Sequence, residues 1–523
     1  MEPIIPEPVQ MQPTQGHFKL NSSVEIMINS SFSDVAKYLQ RKLGELAAVD
    51  LQIRTVSDGG TDTLQESVQP AIILTQLDNG KIPHNEGYRL HIADRLITLE
   101  AKTPHGAFNG VQTLLQLALK NSDRLPCLEI LDYPRFEWRG YMLDEGRYFL
   151  GKDAVKKILD WLALLKINKF HWHLTEDQGW RIEIKKYPKL TEVGSKRRGT
   201  PKYRNINVKL DGIPHEGYYS QKDVKEIVDY AAERFIDVIP EIEFPGHSTA
   251  ALAAYPELSC DGQPRDVESF WGVKHGIYCL GKPEVMDFVK DVFAEVCGLF
   301  PFEFVHIGGD EVPKRNWQSC DACQRTMKNL GLKDEHAYQV HFTNVLSEFM
   351  RSQGKRIIFW NEVTDEKTDK SAVCQYWHGT VESIVPFLES GGNAIISPSS
   401  HYYLDVAYHD TPLKQVYEYE PIPADFSAEA GESVFGVEAE MWGEVFKSLG
   451  KVEWCSFPRL LAVAETAWSP RTKKDYKNFV RKVEDYEAVL DRLGINYASG
   501  SETDMSGLKR FLRRLKKGFT HYA

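Results

Sequence analysis

The sequence predicts an α/β protein, a (β/α)8 TIM barrel preceded by a smaller α/β domain built of a sheet with helices. Three observations predict it. From about residue 134, short apolar runs alternate with stretches of helical period. Eight such runs can be counted before residue 472. Polar and aromatic residues gather just after many of them, which suits the shared mouth at the C-terminal ends of barrel strands better than the single crevice of a doubly wound sheet. The length of 523 residues leaves room for two to four domains at roughly 100–200 residues each.

Residues 1–133 read as a separate α/β unit. Runs at 24–28 and 71–75 are β-branched strand candidates, 34–46 has helical spacing, and 88–92 with 96–100 suggests a hairpin. Asp132-Tyr133-Pro134-Arg135 marks a hinge, because proline restricts its own backbone and that of its predecessor. In the barrel, 134–472, strands are expected at 141–144, 169–173, 237–242, 304–307, 356–360, 372–377, 394–397 and 434–440. Helices at 153–166, 221–234, 284–300 and 337–353 fill several of the gaps. The tail, 473–523, holds two helical stretches expected to pack on the barrel. In the last, 507–518, Leu508, Phe511, Leu512 and Leu515 make an apolar face among Lys509, Arg510, Arg513, Arg514, Lys516 and Lys517. Packing on the barrel's flank is the first reading of that helix, and binding to an acidic membrane surface the second.

Hydrophobic residues at 42% and charged residues at 26% exclude a disordered or collagen-like chain. A net charge of −11 lacks the footprint of a nucleic-acid binder, so no nucleic-acid partner is expected. No apolar run approaches the roughly 18 residues of a transmembrane segment. The N-terminus, MEPIIPEPVQMQPTQG, has neither a basic nor an apolar leader region, so a cytoplasmic location is expected, and a secreted mature chain would read the same way. Eight cysteines are too sparse to act as staples, and reduced thiols are the default.

The chemistry is concentrated at strand ends. In His306-Ile307-Gly308-Gly309-Asp310-Glu311 an apolar strand meets two glycines and then two adjacent carboxylates. Adjacent acids repel, so one tends to keep its proton near neutral pH. A protonated carboxyl beside an ionised one is what general-acid attack on a glycosidic oxygen requires. Asp-Glu pairs are common on surfaces, and it is the strand and the glycines that point to a site. Trp360 and Trp377 end two strands and Trp442 follows a third. Any one of them reads as core. Three at equivalent strand ends read as a sugar pocket, because sugars present apolar C–H faces to indole rings.

The run His-x-Gly-Gly-Asp-Glu occurs with Arg139-Gly140-x-x-x-Asp144-x-x-Arg147, His171-Trp172-His173-Leu174, Pro245-Gly246-His247, Trp360-Asn361-Glu362 and Trp442-Gly443-Glu444. Together these motifs resemble glycoside hydrolase family 20, the β-N-acetylhexosaminidases, over residues from about 1 to 470. The resemblance implies exo-acting hydrolysis of terminal β-linked GlcNAc or GalNAc with retention. In that family the substrate's own 2-acetamido oxygen, not a protein carboxylate, attacks the anomeric carbon. By motif match, Glu311 would be the general acid and then base. Asp310 would orient the acetamido N–H, and Tyr403 would donate to its carbonyl oxygen. Trp360, Trp377 and Trp442 would wall the N-acetyl methyl and the sugar face. Arg147 and Glu444 would grip the 3- and 4-hydroxyls, with Asp405 near the 6-hydroxyl. His247 and Glu176 would tune the acid. Pro-Gly before His247 at a strand exit favours that role over a purely structural histidine. The family usually has Asp-Asp where this chain has Glu176-Asp177, so the relay geometry departs from the pattern by one methylene.

Other signals receive plainer readings. His171 and His173 share one side of a strand and are expected to be a satisfied core pair, since a metal would need a third ligand. Cys320-x-x-Cys323 lacks a second CxxC, so zinc is not expected. Cys260 and Cys279 lie in one long loop and could pair in an oxidising compartment. No metal and no cofactor is implied. The partner expected is a glycan or glycoconjugate with a terminal N-acetylhexosamine, its aglycone and the protein's oligomeric state being left open. Loops 259–278 and 314–336 would choose the aglycone. Two rival functions are a retaining glycosidase using Glu362, Glu438 or Glu440 as nucleophile, and a carbohydrate-binding relic without activity.

Overall fold

A computed structural model describes residues 2–28, 30–55, 70–77, 80–202 and 209–503; the basic stretch 507–518 lies outside the described residues. The first domain is a seven-stranded sheet of β1 (Gln10–Lys19), β2 (Glu25–Ile28), β3 (Gln52–Thr55), β4 (Ala71–Gln76), β5 (Tyr88–Ile92), β6 (Leu96–Ala101) and β7 (Arg124–Asp132). Their spatial order is β1-β7-β5-β6-β4-β2-β3. The expected hairpin is β5–β6, antiparallel with Tyr88 opposite Ala101.

Helix α1 (Ser33–Ala47) and helix α2 (Pro104–Asn121) pack together against this sheet. Residues 106–119 of α2 are all buried, because the sheet covers one side and the barrel helix α3 (Lys152–Leu164) the other. Gln116 of α2 donates to the carbonyl of Leu164 at 2.8 Å. The junction expected to be a hinge is instead clamped. Asp132 is fully buried and receives Lys166 Nζ at 2.8 Å, Tyr88 OH at 2.7 Å and Trp468 Nε1 at 2.8 Å.

The barrel strands are β8 (Trp138–Asp144), β9 (Lys169–His173), β10 (Asp237–Glu241), β11 (Phe304–His306), β12 (Arg356–Trp360), β13 (Val373–Tyr376), β14 (Asn393–Ile396) and β15 (Val434–Met441). They pair in parallel in sequence order, and β15 closes on β8. All eight lie where the apolar runs predict. Trp138, Ile239, Phe304, Ile358, Val373 and Ile395 plug the lower interior. Helix Tyr476–Arg492 of the tail lies against α2 and helix Leu413–Glu418. No helix among the described residues is long and apolar enough to cross a membrane.

The upper interior is charged. Glu438 accepts from Trp138 Nε1 at 2.9 Å and Gln375 Nε2 at 2.9 Å, and meets His171 Nδ1 at 2.7 Å. Gly140 makes room for it: a Cβ there would lie 2.1 Å from Glu438 Oε2. Glu241 pairs with His171 Nε2 at 3.0 Å and His306 Nδ1 at 2.8 Å, and accepts from Trp360 Nε1 at 2.9 Å. Burial would strip the proton from His171, but Glu241 and Glu438 hold it and push its pKa up to about 10. Buried charges are tolerated when each is answered this closely. This layer is a rigid floor beneath the barrel mouth.

The expectation that Cys320-x-x-Cys323 stands alone is corrected. The loops after β10 and β11 bring Cys260, Cys279, Cys320 and Cys323 together, and all eight cysteines are free thiols.

Candidate active site

At the end of β11 the chain turns through Gly308 and Gly309, at φ +67° and +98°, and presents Asp310 and Glu311 to the mouth. The glycines are required. A Cβ on Gly308 would stand 1.9 Å from the buried Glu243 carboxylate. Two side chains pin the turn: Gln339 donates to the Gly309 carbonyl at 2.7 Å, and Glu362 accepts from the Glu311 backbone N–H at 2.9 Å. Glu311 itself sits at φ +49°, a conformation costing a non-glycine residue about 1–3 kcal/mol that its surroundings must hold in place.

The two acids meet different environments. Asp310 is buried, and its Oδ1 has no hydrogen-bond partner in the protein. Burial and the neighbouring Glu243 hold its pKa well above the usual carboxylate range. The Glu311 side chain is 39% exposed, and partial burial raises its pKa against the opposing pull of His247 and Arg147. The pair thus comprises a half-open acid able to keep its proton and an enclosed carboxyl made basic by desolvation.

His247 follows β10 through the cis Phe244–Pro245 bond and sits at φ +44°. Its Nδ1 lies 2.8 Å from Glu176 and 3.2 Å from Asp177, and its Nε2 stands 3.7 Å from both Asp310 and Glu311. Burial works against a charged ring, but Glu176, Asp177 and Asp310 outweigh it, and the imidazolium is favoured well above the ordinary histidine range. Glu176 also reaches Arg147 at 3.1 Å, so the longer glutamate bridges the two cations. Asp177 additionally accepts from the Thr249 backbone at 2.9 Å.

Arg147 is held between Asp144 at 3.0 Å and Glu176, with Glu444 at 3.8 Å from its Nε, and its guanidinium lies 4.9 Å above the Trp442 ring. Aromatic rings continue the wall. Trp442 is 5.9 Å from both Trp360 and Tyr403, and Tyr403 stacks at 6.1 Å on Trp377. Trp360, almost fully buried, joins this wall to the charged floor through Glu241. Tyr403 stays a phenol, because burial and the charges of Glu440 and Asp310 push its pKa well up. Its segment is fixed by Leu404 N–H donating to the Glu440 carbonyl at 2.8 Å and by Arg459 donating to the Val406 carbonyl at 2.7 Å. Asp405, also buried, follows it.

The residues singled out in the sequence therefore surround one mouth. Further contributors were missed or given other parts. Asp177 shares His247 with Glu176. Glu362 holds the Glu311 backbone. Glu243 props the glycine turn, bonds His173 Nε2 at 3.1 Å and has its pKa raised to about 7 by burial. The alternation of Glu241 and Glu243 at a strand exit was the available signal for the last. The two strand histidines are both paired: His173 Nδ1 lies 3.0 Å from Asp144, and His171 lies between Glu241 and Glu438.

Comparison with known proteins places the chain in a family. Residues 136–471 match the model of the glycosyl hydrolase family 20 catalytic domain, and residues 1–133 that of the family's domain 2. A β-hexosaminidase of Porphyromonas gingivalis is 39% identical over 516 residues, 94% of this chain; the chain spans 64% of that protein's length. A β-N-acetylhexosaminidase of Cellulomonas fimi is 30% identical, with 96% of this chain and 97% of the other covered. The solved structure of a β-N-acetylhexosaminidase from Streptomyces coelicolor superposes with a TM-score of 0.81 at 29% identity, covering 97% of this chain and 99% of the other. The chain belongs to glycosyl hydrolase family 20, the β-N-acetylhexosaminidases.

Proposed function

We propose that this protein is an exo-acting enzyme that removes terminal non-reducing β-linked GlcNAc or GalNAc with retention, using the substrate's 2-acetamido group as nucleophile. The observation that carries this reading is Asp310: a buried, desolvated carboxyl with an unpartnered oxygen, beside a solvent-facing acid and a wall of tryptophans.

In the first step the acetamido carbonyl oxygen attacks C1, the bond from C1 to the leaving oxygen breaks, and Glu311 gives that oxygen its proton. The cyclic oxazolinium that forms carries positive charge toward its N–H, where Asp310 accepts. A carboxylate kept basic by burial gains most from that contact as the charge develops. Tyr403 orients the acetamide through its hydroxyl. In the second step Glu311, now a carboxylate, takes a proton from water as the water attacks C1 and the bond from C1 to the acetamido oxygen breaks, restoring the acetamide, and two inversions give net retention. Holding the nucleophile within the same molecule supplies the proximity that a second protein carboxylate would otherwise provide.

The rival nucleophiles are badly placed for attack. Glu438 and Glu440 are fully buried in the charged floor, and Glu362 is engaged with the Glu311 backbone. Arg147, clasped by Asp144, Glu176 and Glu444, suits sugar hydroxyls, and a hydroxyl in the wrong place would leave these charges unmatched. Turnover of nitrophenyl β-GlcNAc beside nitrophenyl β-glucoside tests the reading. Loss of the acetamide is expected to lower kcat/KM by more than about 10³-fold, and comparable turnover of both contradicts it.

A further inference from the structure

We propose that Cys260, Cys279, Cys320 and Cys323 form a closed tetrathiolate site for one zinc ion, which staples the loop after β10 to the loop after β11. The four sulfur atoms lie within 4.8 Å of one another. Cys279 Sγ is 3.7 Å from those of both Cys320 and Cys323, and Cys260 Sγ is 4.0 Å from that of Cys323. Zinc–thiolate bonds of about 2.3 Å in a tetrahedron require sulfur separations of about 3.8 Å. A disulfide would draw one pair to about 2.05 Å and leave the others apart.

The backbone around the thiols is built to hold this arrangement. An antiparallel bridge between Ser259 and Tyr278 sets Cys260 beside Cys279. Trp317 Nε1 donates to the Tyr278 carbonyl at 2.9 Å and ties in the second loop. Gly281 approaches the Cys320-x-x-Cys323 turn so closely that a Cβ would lie 2.3 Å from the Ala322 carbonyl carbon. Lys282 Nζ donates to the carbonyls of Glu257 and Ser259 at 2.7 Å each, closing the first loop. Cys320 occupies the N-cap position of helix Asp321–Asn329 and Cys323 lies in its first turn, so this helix sets the spacing of the two sulfur atoms.

Four thiolates leave zinc no open position, so the ion's part is structural. The loop carrying Cys260 and Cys279 begins with His247, and the one carrying Cys320 and Cys323 begins with Asp310 and Glu311. The staple therefore fixes, from outside the pocket, the two loops whose separation sets the distance from His247 to the acid pair. It does not depend on the catalytic roles proposed above.

Metal analysis of the full-length protein purified under reducing conditions, without added metal, tests the site. About one zinc per chain is expected, with the thermal midpoint falling by several degrees on chelation and recovering when zinc is restored. Cobalt exchanged into the site should show the visible absorption of a tetrahedral tetrathiolate. Cys323→Ser should abolish stoichiometric zinc, whereas Cys127→Ser, in β7, should retain it; equal zinc in both variants overturns the assignment, as does iron in place of zinc. The wild-type protein serves where a variant fails to fold. No zinc bound as purified or after zinc is supplied, or an intact mass short by four thiol hydrogens, overturns the proposal.

Discussion

His247 and Glu311 face each other at 3.7 Å, Nε2 to Oε2, while the far side of the imidazole is held 2.8 Å from Glu176. The ring is thus a cation anchored from behind and aimed at the acid. Its charge lowers the Glu311 pKa, against the burial that raises it. A catalytic acid needs a pKa high enough to hold its proton and low enough to release it, and these opposing influences set that balance.

Removing the cation gives a signed prediction. In His247→Gln the restraint on Glu311 is lost and its pKa rises further. The alkaline limb of kcat/KM, which reports loss of the acid's proton, is expected to move to higher pH while kcat falls about 10- to 100-fold. A limb displaced to lower pH contradicts the coupling.

Asp310→Asn keeps the shape of the residue but removes the charge that stabilises the developing cation. The expected loss is about 10²–10³ in kcat with KM changed only a few-fold, because the contact strengthens after binding. Parallel losses in ground-state affinity and kcat speak against this role.

For Glu311→Gln the loss should depend on the leaving group. Substrates with poor leaving groups, which need the proton most, are expected to lose about 10²–10⁴-fold, and an activated dinitrophenyl glycoside much less. A uniform loss across the series is the contradicting result.

Glu440 separates the two chemistries. Burial and the neighbouring Glu438 push its pKa well up, so its charge is disfavoured where it lies, and glutamine matches its shape. Glu440→Gln is expected to retain kcat within about tenfold. Loss of turnover in a variant with unchanged thermal stability would point to Glu440 as nucleophile.

The barrel was legible because its strands are buried on both faces and read as short, nearly continuous apolar runs. The first domain was less so. Its edge strand Gln10–Lys19 is exposed along most of its length and carries mainly polar side chains, so no alternation marks it. Helix Pro104–Asn121 is covered all round and mixes Gln112 and Gln116 with leucines, which hides its period until the barrel is seen on its far side. Asp310, Glu311 and His247 stood out because glycine or proline sits beside them at strand exits. Asp177 and Glu362 depend on how separate loops meet. The cysteine cluster escaped for the same reason: its pairs lie on two loops, and only their folding supplies Cys320-x-x-Cys323 with the partners that spacing along the chain does not show.

The most direct measurement is kcat along a series of nitrophenyl substrates whose N-acetyl group carries zero to three fluorines. Fluorine withdraws electron density from the carbonyl oxygen while changing little else. The account predicts that kcat falls steeply with each fluorine and that no side chain gains covalent mass during turnover. A rate indifferent to fluorination, with a glycosyl adduct on a carboxylate, would contradict it.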